Sequence, residues 1–287
     1  MNADVYDSLM CRHHNGRIWL VGGTQESATL ARMIAQEQWP CTVSVTTEAA
    51  TALYPSAPLL RVRVGKLDAI ELAQFLQAES ISVILDASHP YAVEVSKLAI
   101  AAACQYQIPY LRYERPRLDL ISRADHPNFS DQGRENSQTY ICLDSFDTLL
   151  RSEILTGQRV LLTVGYRTLL LFQPWQDKCT LFARILPSVP ALEAALAAGF
   201  TPDRLIALRP PISLDLERSL WQQWQISLVV TKASGVAGGE DVKRIVASEL
   251  GVPVVVIDRP AIEYPQQTSD VATAVQFCRQ HLTPSKL

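Results

Sequence analysis

The chain has no apolar run that approaches the roughly 20 residues needed to cross a bilayer. It has no short-period repeat and no low-complexity tract, which excludes solenoid and compositionally disordered architectures. Its six cysteines, Cys11, Cys41, Cys104, Cys142, Cys179 and Cys278, form no C-x-x-C pair. That excludes the common zinc spacing and suits reduced thiols in the cytoplasm better than a disulfide framework. Basic charge is not in excess: 26 Lys and Arg stand against 29 Asp and Glu, a net charge of −3, which argues against a nucleic-acid partner. An acidic small molecule stays compatible, because a local group of arginines binds carboxylates whatever the total. The opening stretch "MNADVYDSLMCRHHNGR" lacks the apolar centre of a secretory signal and reads as a loose extension over 1–17. The full G-x-G-x-x-G fingerprint is missing too, with Gly22, Thr24 and Ser27 standing where its glycines would.

What is present is the alternation of an α/β protein. The length of 287 residues, with 48 % hydrophobic and 19 % charged residues, is globular and large enough for two cores. "IWLV" at 18–21 reads as a strand, and Ser27, Leu30, Ala31 and Ile34 after it share a helical face. Further strands are expected at 41–46, 59–64, 82–90 and 108–116, with a helix capped by Asp68 and another over about 91–106. The polar stretch around "HPNFSDQGRENSQ" reads as a linker. Strands then resume at 159–164, 181–186, 204–208, 227–232 and 253–258, where near-continuous Val/Ile/Leu runs such as "VPVVVI" belong in parallel sheets covered on both faces. The expected organisation is an α/β chain of two Rossmann-like open parallel-sheet domains, 17–117 and 139–287, joined by a linker over 118–138.

Ligands of open parallel sheets bind outside the carboxyl ends of the strands, so the segments after each strand are the ones to read. Gly22-Gly23-Thr24 fits a phosphate cradle at a helix N-terminus and fits a plain strand-to-helix turn equally well. An NAD enzyme usually ends its second strand in Asp or Glu, which would repel a 2′-phosphate. Here Ser44 and Thr46 stand instead, which favours NADP, although ordinary β-formers would look the same. His89, in "DASHPYA", is a candidate proton or hydrogen-bond donor or a turn histidine. Lys232, Ser234 and Gly235 open a second glycine-rich turn, "VVTKASGVAGGEDVKRI", in which the lysine precedes the glycines, unlike a P-loop. Arg112, Arg115 and Arg117 in "LRYERPRL" are either a carboxylate clamp or a solvated charge cluster.

Taken together, "GGTQES", "SVTTE", "DASHPYAVEVSKLA", "IPYLRYERP", "VLLTVGYRTLLLF", "ARILP" and "VTKASGVAGGEDVKRIVASELGVPVVVIDRP" resemble the precorrin-6A reductase family of corrin-ring (vitamin B12) biosynthesis. The likeness runs in order from Ile18 to Pro260. It departs at "RPPISLDLE", where the family often has a Gly-Pro-Phe-Ser-like turn, and does not include 1–17 or 119–138. The resemblance implies NADPH-dependent reduction of a ring carbon–carbon double bond of precorrin-6A or its cobalt form, in a cleft between two Rossmann-like domains. It requires no side-chain nucleophile and no metal held by the protein. Under it, Gly22, Gly23 and Thr24 are expected at the cofactor phosphates and Ser44 and Thr46 near the 2′-phosphate. Lys232, Ser234 and Gly235 are expected at the cofactor or substrate. Tyr91, Arg112 and Arg115 are expected at the acidic side chains of the macrocycle, and His89 as a proton or hydrogen-bond donor. Two readings of other kinds stay open: a sensor that binds NADPH without turnover, and a doubly wound transferase using a nucleotide sugar.

Overall fold

The computed structural model describes residues 16–118 and 140–282. The expected extension and linker therefore lie outside the described residues, apart from Gly16, Arg17 and Leu118. The chain divides into two units, Met1–Arg115 with Ala261–Leu287, and Pro116–Pro260.

In the first unit the short β-branched runs form strands β1 (Arg17–Val21), β2 (Cys41–Val45), β3 (Leu60–Val64), β4 (Ile81–Asp86) and β5 (Tyr110–Tyr113). Helices α1 (Gln25–Gln36), α2 (Ala69–Ala78) and α3 (Val93–Tyr106) connect them. All pairings are parallel, in the order β5-β4-β1-β2-β3. Alternate residues face opposite layers. Ile18, Leu20, Val43, Val83 and Leu85 pack with Leu30, Ala31 and Ile34 of α1, while Trp19, Val21 and Ile84 pack with Leu72 and Leu76 of α2 and Ala99 of α3. Both faces are covered, which is why these strands are apolar throughout. The chain leaves β1 toward β2 on one side and returns to β4 on the other. That reversal opens a crevice at the carboxyl end of β1, the usual place for a ligand in an open sheet.

Local signals set the helix starts. Thr24 Oγ1 accepts the Ser27 N–H at 3.1 Å and Ser27 Oγ accepts the Thr24 N–H at 3.0 Å, a reciprocal cap. Asp68 caps α2 as its sequence position foretells, with Oδ1 accepting from Ile70 N and Glu71 N at 2.9 and 2.8 Å.

The second unit holds β6 (Tyr140–Leu143), β7 (Arg159–Thr163), β8 (Thr180–Ile185), β9 (Leu205–Ala207), β10 (Leu228–Lys232) and β11 (Val254–Ile257). They form one parallel sheet in the order β6-β11-β10-β7-β8-β9. Helices α4 (Phe146–Arg151), α5 (Val189–Ala197), α6 (Leu214–Gln223) and α7 (Glu240–Leu250) flank it. Between β7 and β8 the connection is a 3₁₀ stretch, Tyr166–Trp175, which contains Pro174. β6 is absent from the strands expected from sequence: it has four residues at a sheet edge, and the pattern there is too short to read.

The expected domain boundary needs one correction. Of residues 261–287, assigned from sequence to the second domain, the described part, 261–282, belongs to the first unit. There β12 (Gln267–Thr268) pairs parallel with β5, Gln267 opposite Arg112 and Thr268 opposite Tyr113. The final helix α8 (Val271–His281) buries Ala274, Val275, Phe277 and Cys278 in the same core as Ile18, Leu20, Val83 and Leu111. The physical reason is coverage. β5 would otherwise present an open edge, and the α1 face of the sheet would lack its second helix.

Candidate functional site

The turn after β1 brings several expected residues together at the crevice. Gly22 is held by close packing: a Cβ there would overlap the Tyr54 hydroxyl and lie 2.7 Å from Val43 Cγ1. Gly23 is exposed with φ +98°, and a Cβ on it would meet nothing within 4 Å. Only glycine adopts that conformation readily, and the open space lets another group approach the backbone. Thr24 Oγ1 donates to Ala87 O at 2.8 Å, which ties this turn to the end of β4. Tyr54, at the end of a 3₁₀ stretch (Glu48–Leu53), reaches across to accept the Gly23 N–H at 2.6 Å and to contact Ser27 Oγ at 2.7 Å. Nothing in "TALYPSAP" distinguishes that tyrosine from a packing residue.

Of the two hydroxyls expected near a 2′-phosphate, only Thr46 is exposed. Ser44 is buried and accepts the Trp19 indole N–H at 2.9 Å. Its role is therefore corrected to satisfying a core tryptophan, a partner that a buried indole N–H needs.

Arg112 is corrected in the same way. It is 0 % exposed, and its Nη1 donates to Asp86 Oδ1 at 2.9 Å and Ser88 Oγ at 3.0 Å, while Nε donates to Glu114 Oε2 at 2.8 Å. Asp86, equally buried, also accepts from Ser88 N at 3.0 Å, from Ser96 Oγ at 2.6 Å and from the Tyr110 hydroxyl at 2.9 Å. Burial pulls the Arg112 pKa down, but the Asp86 and Glu114 carboxylates more than reverse this and leave it above its ordinary value. A buried, hydrogen-bonded ion pair of this kind, Arg112 with Asp86, pins the ends of β4 and β5. It offers no guanidinium to a substrate. Arg115 is also engaged: its Nε lies 2.9 Å from Glu26 Oε1 and its Nη2 3.0 Å from Oε2, in the first turn of α1. The bidentate pair places Arg115 beside the glycine turn.

His89 and Tyr91 stand where β4 turns into α3. His89 Nδ1 accepts the Tyr91 N–H at 3.2 Å, so the neutral ring carries its proton on Nε2. The two rings lie 5.7 Å apart, and both residues are half-buried.

In the second unit the turn after β10 is tightly tied. Glu240, buried at the start of α7, accepts the Gly235 N–H at 2.9 Å with Oε2, and with Oε1 accepts from the Tyr140 hydroxyl at 2.5 Å and Arg244 at 3.0 Å. Lys243 is fully buried, and its Nζ donates to Gly238 O at 3.1 Å and Gly239 O at 2.9 Å. Ser234 is buried against Gly238, whose missing Cβ makes room for the serine hydroxyl. Lys232 lies 5.6 Å from the Phe146 ring, and burial, with the Arg167 charge adding to it, pushes its pKa down to about 8. An anion placed beside such an ammonium would be strongly favoured. Sequence reading missed Glu240 and Lys243. The signal was there: a buried carboxylate and a buried ammonium in the first turns after a glycine loop have backbone to hold.

Among the described residues no group of three or more His, Cys, Asp or Glu side chains is placed to hold a metal. No described helix is long and apolar enough to cross a membrane. Residues 17–279, nearly the whole described chain, match the family model for the precorrin-6x reductase CbiJ/CobK. The chain belongs to this reductase family. It is similar to the cobalt-precorrin-6A reductase of Synechocystis sp. at 47 % identity over 266 residues, covering 92 % of this chain and 97 % of the relative. The corresponding enzyme of Priestia megaterium is 31 % identical, over 86 % of this chain and 92 % of its own. The solved structure of the CobK precorrin-6A reductase matches with a TM-score of 0.72 at 24 % identity, covering 95 % of this chain and all of that one, and has the same fold.

The family's reductase chemistry implies a nicotinamide cofactor. The turn after β1 fits one. It combines a glycine with open space above its backbone, a helix N-terminus whose dipole favours an anion, and an amide already holding an oxygen ligand, that of Tyr54.

Proposed function

We propose that the protein is an NADPH-dependent reductase of one ring carbon–carbon double bond in precorrin-6A or its cobalt form. The observation that carries this reading is the family match over residues 17–279, with the glycine turn, cap and α1 in register inside it. When bound, the nicotinamide would supply the hydride, with the accompanying proton coming from His89 or from solvent.

The protein's own share is binding and orientation, which supply much of the acceleration in such a transfer. Gly22 lets the turn close, Gly23 leaves space without a side chain for the cofactor phosphates, and Thr24 fixes the start of α1. Thr46 is the exposed hydroxyl at the end of β2 for the 2′-phosphate. In the second unit Lys232 supplies positive charge to cofactor or substrate, and Ser234 and Gly235 shape the loop that carries it. Tyr91 is the candidate for the carboxylate-bearing side chains of the macrocycle, and His89, half-buried at the same turn, is the candidate proton or hydrogen-bond donor.

The direct test is titration of the purified protein with NADPH and NADH, followed by nicotinamide fluorescence, for wild type and Thr46→Asp. A carboxylate at that position opposes a 2′-phosphate, so NADPH affinity should fall roughly tenfold or more, the effect of about 1.4 kcal/mol, while NADH affinity holds. Equal losses for both nucleotides would remove Thr46 from the 2′-phosphate. Binding of a nucleotide sugar in place of either would favour the transferase reading.

A further inference from the structure

The donors of the nucleotide turn are nearly all in use. Gly22 N–H bonds to Ser44 O at 2.9 Å within the sheet edge. Gly23 N–H bonds to the Tyr54 hydroxyl, Thr24 N–H to Ser27 Oγ, and Ser27 N–H to Thr24 Oγ1. Only the amides of Gln25 and Glu26 have no hydrogen bond among the described residues, as expected for the first turn of a helix. Ser27 Oγ already donates to Thr24 O at 2.7 Å. Its contact with Tyr54 therefore uses the phenol's proton, and the phenol's oxygen accepts from Gly23.

Tyr54 thus sits on the turn as a phosphate oxygen would, holding the amide of Gly23, where a Cβ would meet nothing within 4 Å. An amide has one proton to give, and the phenol has none left for a phosphate. The two free amides lie next to the Glu26 carboxylate, itself held by Arg115. A phosphate seated fully on this turn has to take Gly23 N–H from Tyr54.

We propose that Tyr54 is an internal competitor for the cofactor site: its hydroxyl caps the empty turn and gives up the Gly23 amide when a cofactor phosphate binds. This rests on the reading that the turn after β1 holds the cofactor. The competition lowers affinity by the worth of the bonds exchanged and keeps the empty turn ordered.

The test is Tyr54→Phe in the full chain, with two measurements. Without nucleotide, thermal unfolding should shift down, since the Gly23 and Ser27 bonds are lost. With NADPH, affinity should rise about two- to tenfold, the net effect of one neutral hydrogen bond. A variant that is less stable yet binds more tightly is the signature of a competitor. If Tyr54→Phe binds NADPH equally or more weakly, Tyr54 supports the turn and the proposal is wrong, while the cofactor reading stands. If neither wild type nor variant binds NADPH, with or without the macrocycle, the cofactor reading fails and the proposal falls with it.

Discussion

Several side chains whose sequence positions suggested ligand contacts are committed to the protein itself. Arg112 stands at a strand end in an arginine-rich stretch, the pattern of a carboxylate clamp. Its partner Asp86 lies 26 residues away, and no local pattern links them. Removing one member of a buried pair strands the other, at a cost of about 3–5 kcal/mol. Arg112→Met should therefore lower unfolding free energy by that order in a urea titration, and a change under about 1 kcal/mol would show the pair to be dispensable. Ser44 and Trp19 carry the same lesson, since a serine in a strand shows nothing of the indole beneath it. A second prediction concerns Lys243, whose pKa burial pushes down to about 8. Below pH 8 the folded state keeps a desolvated ammonium. From there to about pH 10 the unfolded chain still holds the proton that the folded one has shed, so this group makes stability rise with pH, by up to about 1.4 kcal/mol per unit. The buried thiols of Cys41, Cys179 and Cys278, raised by burial, act in the opposite direction at alkaline pH. The difference in unfolding free energy between wild type and Lys243→Met isolates the lysine and should grow between pH 8 and 10. A flat difference would mean that Lys243 does not titrate there.

At the level of elements, the long periodic segments were readable and the short ones were not. The strands containing Ile18, Val43, Val83 and Val229 follow from apolar runs bounded by turn formers, and Asp68 announces α2 by its side chain. β6 and β12 are too short for periodicity to register. Helix α8 has an apolar face at helical spacing, but a helical period says nothing of which sheet the helix covers, so sequence order placed it with the wrong unit. A chain ending at Pro260 should therefore lose the first unit: β5 would have an open edge, and Ile18, Leu20 and Leu111 would lose the cover of Phe277 and Cys278. The expected outcome is aggregation, or loss of cooperative unfolding for that unit. A truncated chain that keeps the wild-type melting profile would contradict the assignment.

At the scale of the whole molecule, two parallel sheets each bring glycine-rich turns and a few committed polar groups to the carboxyl ends of their strands. The architecture and the reductase family were legible because near-continuous apolar strands and the segments between them run in order along the chain. The site was legible only in part. The turn itself shows in the sequence, as Gly22-Gly23 between strand and helix, whereas the contacts of Tyr54, Glu240 and Lys243 are ones that only folding creates. The central claim is hydride delivery from NADPH to the macrocycle, and its most direct test uses NADPH carrying deuterium at nicotinamide C4, with precorrin-6A or its cobalt form, under anaerobic conditions. Stereospecific appearance of the label on a reduced ring carbon, matched by loss of NADPH absorbance, is the expected result. A product without the label from either C4 epimer, or NADPH left unoxidised while the protein binds both partners, would contradict it.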